Sequence, residues 1–158
     1  MKISKSEEQG MRLAMGLARR GGSANLADLA RDEGLSEALV AKILGKLRRG
    51  GVAVAFRGRN GRYELAAPAE QIDTLQILQA FGEPLLRGCN QRDDPNARTA
   101  CQRAGSCNLE SVWNQLESHI NRVLSEITLA DLIRDEEQVS AHMAGVWVRS
   151  TGAESEAR

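Results

Sequence analysis

Hydrophobic residues recur every three or four positions through the N-terminal third of the chain, in three runs separated by glycine. This spacing predicts three amphipathic helices, over roughly residues 5–20, 25–33 and 37–49. The turn at Gly34 between the second and third runs is short. Two helices joined in this way are typical of a helix-turn-helix, in which the later helix enters the DNA major groove. An ordinary pair of packed helices would give the same pattern.

The pattern then changes to short extended runs, which favour a hairpin. Residues 52–57 and 62–66 are predicted strands, and Asn60-Gly61 between them is a strong signal for a tight turn. A two-stranded hairpin placed directly after a helix-turn-helix is a wing. We therefore expect residues 1–84 to form a winged helix-turn-helix DNA-binding domain.

The C-terminal half contains the longest apolar stripe of the sequence. A short helix over about residues 75–81 comes first, and the stripe follows over about residues 109–127. It is long enough to need a second apolar surface, and we expect a two-fold dimer seam, since most soluble oligomers are two-fold. The alternative is packing on its own domain. A short return helix to residue 137 and a weakly ordered tail over residues 138–158 complete a mainly α fold.

Charge is divided unevenly along the chain, although its formal net charge is +0. Residues 1–66 hold 13 Lys and Arg against 7 Asp and Glu, whereas residues 67–158 hold 8 against 14. A basic N-terminal half favours a polyanionic partner, here double-stranded DNA. The acidic residues near the start and the lack of an apolar run of about 18 residues favour a cytoplasmic protein without a membrane partner.

Candidate DNA contacts follow from the predicted helix-turn-helix and wing. The third helix would expose small and basic residues, and the wing tip would carry arginines suited to phosphates or a minor groove. The alternative is an ordinary solvated surface. The candidate DNA-binding residues are Ser36, Ala38, Lys42, Lys46, Arg57, Arg59 and Arg62.

Residues 85–108 form a polar segment that contains all three cysteines, Cys89, Cys101 and Cys107. Thiolates are soft ligands suited to iron–sulfur clusters, zinc or copper(I). Zinc is less favoured, because structural zinc sites generally use close cysteine pairs, and none occurs here. A cluster-free alternative is a reversible disulfide between Cys101 and Cys107.

Several segments together resemble the IscR/NsrR family of winged-helix regulators. Residues 57–65 read RGRNGRYEL, similar to the family pattern R-G-x-x-G-G-Y-x-L, with Arg62 in place of the second hairpin glycine. The segment IDTLQILQAF, the cysteines, the long helix and ITLADLI also match, so that the resemblance covers about residues 1–137. It implies a homodimeric transcriptional regulator, expected to be a repressor, that senses redox state, nitric oxide, or iron–sulfur or iron status.

The resemblance also implies a cluster, 4Fe–4S or 2Fe–2S, bound by the three cysteines and one further ligand. Some relatives use an acidic residue near the start of the first helix, donated by the partner subunit, and here Glu8 occupies that place. Glu7 and Glu110 are the alternatives, Glu110 standing where other relatives have a histidine. The eleven residues between Cys89 and Cys101 exceed the spacing of many members.

One other functional class competes with this hypothesis, and a further class is disfavoured by the sequence. An iron–sulfur electron carrier would need the cysteines but not the basic wing. An enzyme is not expected, because the sequence shows neither a nucleophile–base arrangement nor a phosphate-binding glycine loop and has only two histidines.

Overall fold

The computed structural model describes residues 3–56, 61–82 and 108–152. It confirms a mainly α chain with a small antiparallel sheet. Its helices are α1 (Lys5–Arg19), α2 (Leu26–Glu33), α3 (Glu37–Arg49), α4 (Thr74–Gln79), α5 (Asn108–Ser125), α6 (Leu129–Leu132) and α7 (Glu136–Gly152). Its strands are β1 (Ser23–Asn25), β2 (Ala53–Phe56) and β3 (Arg62–Leu65).

Short polar side chains cap the helices at their N-termini. Ser4 caps α1, accepting a hydrogen bond from the Glu7 N–H. Asn25 likewise caps α2, so that this helix begins at Leu26 rather than at Asn25 itself. Such caps satisfy N–H groups that have no partner inside the helix.

The sheet has three strands rather than the two expected for the wing. β3 lies between β1 and β2, and β1 pairs with it through Ser23 opposite Glu64 and Asn25 opposite Arg62. The Leu65 N–H extends this pairing by donating to the Gly22 carbonyl at 2.8 Å. β1 has only three residues, too few to show an alternating pattern, and its partner is distant in sequence. The sequence pattern therefore did not reveal it.

The main core joins both halves of the chain. Residues from α1, α2, α3, α4 and α6 meet in one buried cluster, which includes Leu13, Leu29, Ile43, Ile77 and Leu129. Backbone hydrogen bonds fix the junction, because Thr74 N–H donates to Ile127 O at 2.9 Å and Leu129 N–H donates to Ile72 O at 2.7 Å. The residues after the cysteine segment therefore fold back onto the N-terminal domain.

The C-terminal region differs from the expected return helix and weakly ordered tail. α6 ends at Leu132, and α7 then runs from Glu136 to Gly152, through much of the segment expected to be weakly ordered. The Asp135 carboxylate accepts a hydrogen bond of 2.8 Å from the Gln138 N–H, as an N-terminal cap does. Val146 packs α7 against Val123 and Ile127. The apolar spacing of this segment is too weak to predict the helix from the sequence.

The helices show no candidate for membrane insertion. Across the three described ranges, none combines the length and the apolar character that a bilayer crossing requires.

Candidate nucleic-acid interface and cysteine segment

The turn between α2 and α3 has the geometry of a helix-turn-helix. Gly34 ends α2 with a left-handed backbone, φ 63°, which glycine adopts without steric cost. Leu35 N–H donates to Ala30 O at 2.9 Å, closing the turn, and Ser36 caps α3. Val40 and Ile43 anchor the buried side of α3. Its other side therefore remains available to a partner.

The exposed side of α3 carries the expected candidates. Ser36, Ala38 and Lys42 are exposed. Lys46 differs from them, because it is half-buried and its Nζ lies 5.0 Å from the centre of the Phe81 ring. A cation over an aromatic face is attracted by the ring quadrupole. The structure thus gives Lys46 an intramolecular contact that its sequence position did not predict.

A groove of about 430 Å³ lies between the first turns of α1 and the exposed side of α3. Its floor is apolar, and three lysines surround it. Every charged residue among the described residues that line it is a lysine. The lining residues are Lys5, Ser6, Gln9, Leu35, Leu39, Lys42, Ile43 and Lys46.

Three polar residues of this groove were not among the candidates from sequence: Lys5, Ser6 and Gln9. The helical period places them on the polar side of α1, but that period does not reveal which other element they face. The packing of α1 on α3 is a long-range property. The one local signal for these residues was Lys5, whose positive charge in the first turn of α1 is unfavourable to the helix dipole.

The described part of the wing contains one of its three arginine candidates. Arg62 is exposed, and its Nη2 lies 2.5 Å from Glu64 Oε1. Phe56, directly opposite Arg62 in the sheet, is also exposed. Arg57 and Arg59 lie outside the described residues. The wing therefore presents an arginine and an aromatic residue at paired positions.

The two acids in the first turn of α1 have different environments. Glu7 is 4% exposed, and its Oε2 accepts a hydrogen bond of 2.6 Å from the Ser4 N–H in a capping box. Glu8 is exposed. The Glu7 carboxylate is thus part of the helix terminus, whereas Glu8 presents its carboxylate to solvent.

The candidate ligands of a metal group are divided between the cysteine segment and the described helices. Cys89, Cys101 and Cys107 lie outside the described residues, and within the described ranges no group of three His, Cys, Asp or Glu side chains could hold a metal ion. The alternative ligand Glu110 lies in the first turn of α5 and is half-buried. Three thiolates within nineteen residues, with an exposed carboxylate elsewhere, are a donor set that fits an iron–sulfur cluster.

An apolar face on α5 is open to solvent. Its members are Leu109, Val112, Trp113 and Leu116, which are 51%, 49%, 38% and 44% exposed. Residues at these spacings lie on one side of a helix. Contiguous exposed apolar surface of this kind marks an interaction site.

Comparison with known proteins gives consistent matches. The Rrf2 family profile, described as an iron-dependent transcriptional regulator, matches residues 3–135. The HTH-type transcriptional regulator IscR of Vibrio atlanticus is 32% identical over 113 residues, which are 71% of this chain and 62% of that protein.

Solved structures match as well. The structure of T. potens IscR is 27% identical, with a TM-score of 0.60, and the match covers 84% of this chain and 86% of that one. The oxidized form of Staphylococcus aureus CymR is 27% identical, also with a TM-score of 0.60, covering 85% and 98%. These similarities confirm the expected winged-helix architecture.

Proposed function

The chain belongs to the Rrf2 family of transcriptional regulators, and from that premise we propose that it is a homodimer whose affinity for an operator depends on a cysteine-bound iron–sulfur cluster. Membership confirms the resemblance noted from the sequence and the expectation of a DNA-binding regulator rather than an enzyme. The dimer, the cluster and the contact residues are the finer parts of the proposal. As a regulator of transcription it would act in the cytoplasm, as a repressor.

The observation that carries the DNA-binding part is the exposed side of α3 beside a groove lined by three lysines. Ser36 and Ala38 lie at the start of α3, where they would meet base edges. Lys42 and Lys46 would meet phosphate. Arg62 would extend the contact along the wing, together with Arg57 and Arg59. Lys5 in the groove is a further candidate for phosphate contact.

The exposed apolar face of α5 supports the dimer. A second copy would cover the same face of its partner, since a two-fold interface uses one patch twice. Two α3 helices would then meet successive major grooves about 34 Å apart. The dimer would therefore set the half-site spacing of the operator.

The cluster would be bound by Cys89, Cys101 and Cys107, with Glu8 of the partner subunit as the fourth ligand. Support comes from the first turn of α1, where Glu7 is engaged in the helix cap and Glu8 is exposed. When bound, a 4Fe–4S or 2Fe–2S cluster supplies iron–thiolate chemistry that is sensitive to oxidation and nitric oxide. Glu110 remains the alternative from the same subunit.

The test begins with protein purified without oxygen. Iron, acid-labile sulfide and the visible spectrum are measured on the native chain, on Glu8→Ala and on Glu70→Ala, an exposed acid outside the candidate set that serves as the control. We expect iron and sulfide in all three and an altered spectrum in Glu8→Ala alone. An unchanged spectrum in Glu8→Ala would exclude Glu8 as a ligand, and colourless native protein would exclude the cluster.

DNA binding is tested on a duplex of about 30 base pairs, long enough for two half-sites and selected from a random library by the native chain. If about six phosphates are contacted, log affinity should fall against log salt with a slope near −5. Lys42→Ala should reduce that slope by about one. Arg31→Ala, on α2 and paired with Asp28, is the control and should leave it unchanged. A flat salt response would contradict the proposal.

A second candidate function replaces the cluster with a disulfide between Cys101 and Cys107. The similarity to an oxidized CymR structure favours it. Iron-free protein with titratable thiols, whose DNA affinity changes on oxidation and recovers on reduction, would support this candidate. A response to oxidant that persists in Cys101→Ser would contradict it, because the disulfide requires both sulfur atoms.

A further inference from the structure

Phe81 lies where three parts of the molecule meet. It is 8% exposed and follows the last residue of α4 by two positions. Gly82 is the last described residue on this side of the cysteine segment, and Cys89 follows seven residues later in the sequence. Among the described residues, Phe81 is therefore the last buried one before the cysteines.

The Phe81 ring is in direct contact with α1. A methyl group added at Gly10 would overlap the ring carbons Cζ and Cε2, so that only glycine leaves room for the ring. Gly10 lies two residues after Glu8, the candidate ligand. The ring thus rests on the same turns of α1 that present that carboxylate.

The same ring is in contact with α3, the helix proposed to read DNA. Lys46 Nζ lies 5.0 Å from the ring centre, and Lys46 lines the groove together with Lys42, one helical turn away. The neighbouring Ala80 packs against Gly50 at the end of α3, where an added methyl group would overlap the Ala80 side chain. The C-terminal end of α4 is therefore packed closely against both α1 and α3.

The N-terminal end of α4 is fixed to the residues that follow the cysteine segment. Thr74 Oγ1 donates to Leu124 O at 2.7 Å, and Asp73 pairs with Thr128 in an isolated bridge. α4 is consequently held at one end by the end of α5 and at the other by contacts with α1 and α3. Only seven residues separate Phe81 from Cys89 in the sequence, so that a change in the cysteine segment can act on Phe81 through the backbone.

We propose that Phe81 is a positioning residue whose ring holds the Lys46 ammonium group where it can contact DNA. Through Phe81, the cysteine segment changes the affinity of α3 for DNA. The second half of this inference rests on the proposed function, whereas the first half requires only DNA binding. Phe81 acts through Lys46 and is not itself a DNA contact. A residue with a purely structural role would affect DNA binding equally whether Lys46 is present or absent.

The first experiment is a double-mutant cycle on the full chain after chelation of iron, with the library-selected duplex as the probe. Phe81→Leu keeps an apolar side chain but removes the ring face. It should weaken binding about two- to fivefold, the range of an exposed cation–π contact. In Lys46→Met protein the same change should have no effect, because the ammonium is already absent. Equal weakening in both backgrounds would overturn the positioning role.

Two further variants exclude a general packing effect. Ile77→Val removes one methyl group from a buried residue of α4, and its effect should be the same in the native and the Lys46→Met backgrounds. Gly10→Ala displaces the ring from the α1 side while Phe81 remains. Like Phe81→Leu, it should weaken DNA binding in the native background and have no effect in Lys46→Met protein. Loss of this dependence on Lys46 would contradict the proposal.

The second experiment measures the ratio of DNA affinities between anaerobic cluster-bound protein and chelated protein. Phe81→Leu should bring this ratio about two- to fivefold closer to one, and Ile77→Val should preserve it. An unchanged ratio in Phe81→Leu overturns the coupling while the proposed function stands. A ratio of one in the native chain overturns cluster control itself, and the chelated-protein cycle still decides the positioning role.

Discussion

Asp131 shows how single residues set the pH response of the fold. It is buried, and burial alone would raise its pKa, but the hydroxyl and N–H of Thr128, followed by His142 and Arg134, outweigh burial and hold the pKa below its ordinary value. Thr128 Oγ1 donates to Asp131 Oδ2 at 2.6 Å. The ionised carboxylate therefore stabilises the folded state above the unfolded pKa of about 3.9.

We expect Asp131→Asn to lower the melting temperature at pH 7. Its melting temperature should also fall less than that of the native chain as the pH is lowered, because the variant has no carboxylate to protonate at this position. The native contribution is complete above about pH 5 and disappears as pH falls through the lowered pKa. Thermal unfolding monitored by circular dichroism between pH 7 and pH 3 tests this. In Thr128→Val the acid loss should begin at higher pH. An Asp131→Asn deficit that is constant across this range would contradict the assignment.

Gly10 provides a second residue-scale prediction, on stability. Gly10→Ala should destabilise the protein by about 1–3 kcal/mol, because its methyl group would overlap the Phe81 ring and force a shift in a packed core. Gly45→Ala is the matched control, since its nearest neighbour is an arginine end at 3.7 Å. It should be neutral or stabilising by up to about 1 kcal/mol through helix propensity. Urea unfolding of both variants gives the comparison, and equal effects would refute the close contact.

Residue identity alone predicted some of the candidate site and not the rest. The polar character of Lys42 and Ser36 predicted exposure, because the helical period of α3 is local information. The contact between Lys46 and Phe81 depends on packing between segments that are far apart in sequence, and so does the groove beside Lys5. No local sequence pattern predicts such packing. The roles of the cysteines and of Arg57 and Arg59 remain predictions from sequence.

At the scale of elements, prediction succeeded where one face of a segment is buried. α1, α2, α3 and α5 were each predicted from apolar spacing, and glycines separate the first three of these helices. β1 and α7 were missed for a physical reason: neither owes its conformation to a repeating apolar face. β1 is ordered by its pairing with β3, whereas α7 follows the capping Asp135 and packs against α5 through the buried Val146.

The docking of α7 can be tested through that residue. Val146→Asp would bury an unpaired charge, so that α7 should separate from α5 and lose about 2 kcal/mol or more of local stability. Hydrogen exchange should rise in residues 136–152 and remain slow in α1 and α3. Ala144→Asp, at an exposed position of the same helix, is the control and should leave exchange unchanged. Unaltered exchange in Val146→Asp would show that α7 does not depend on this contact.

At the scale of the whole molecule, the proposed dimer would set the distance between the two α3 helices that contact DNA. Leu116→Glu places a charge in the exposed apolar face of α5 and should raise the dimer dissociation constant by about thirtyfold or more. Gln115→Glu adds the same charge at the adjacent exposed position and should leave the dimer intact. Analytical ultracentrifugation measures both, and an intact Leu116→Glu dimer would place the seam elsewhere.

In the proposed function, the cysteine segment would set the affinity of this regulator for DNA through an iron–sulfur cluster. The most direct measurement is fluorescence anisotropy with the selected duplex, on one anaerobic preparation before and after removal of its iron. We expect a brown protein containing iron and sulfide, whose DNA affinity changes at least about fivefold on removal. An iron-poor preparation that binds the same duplex with unchanged affinity after chelation would contradict the account.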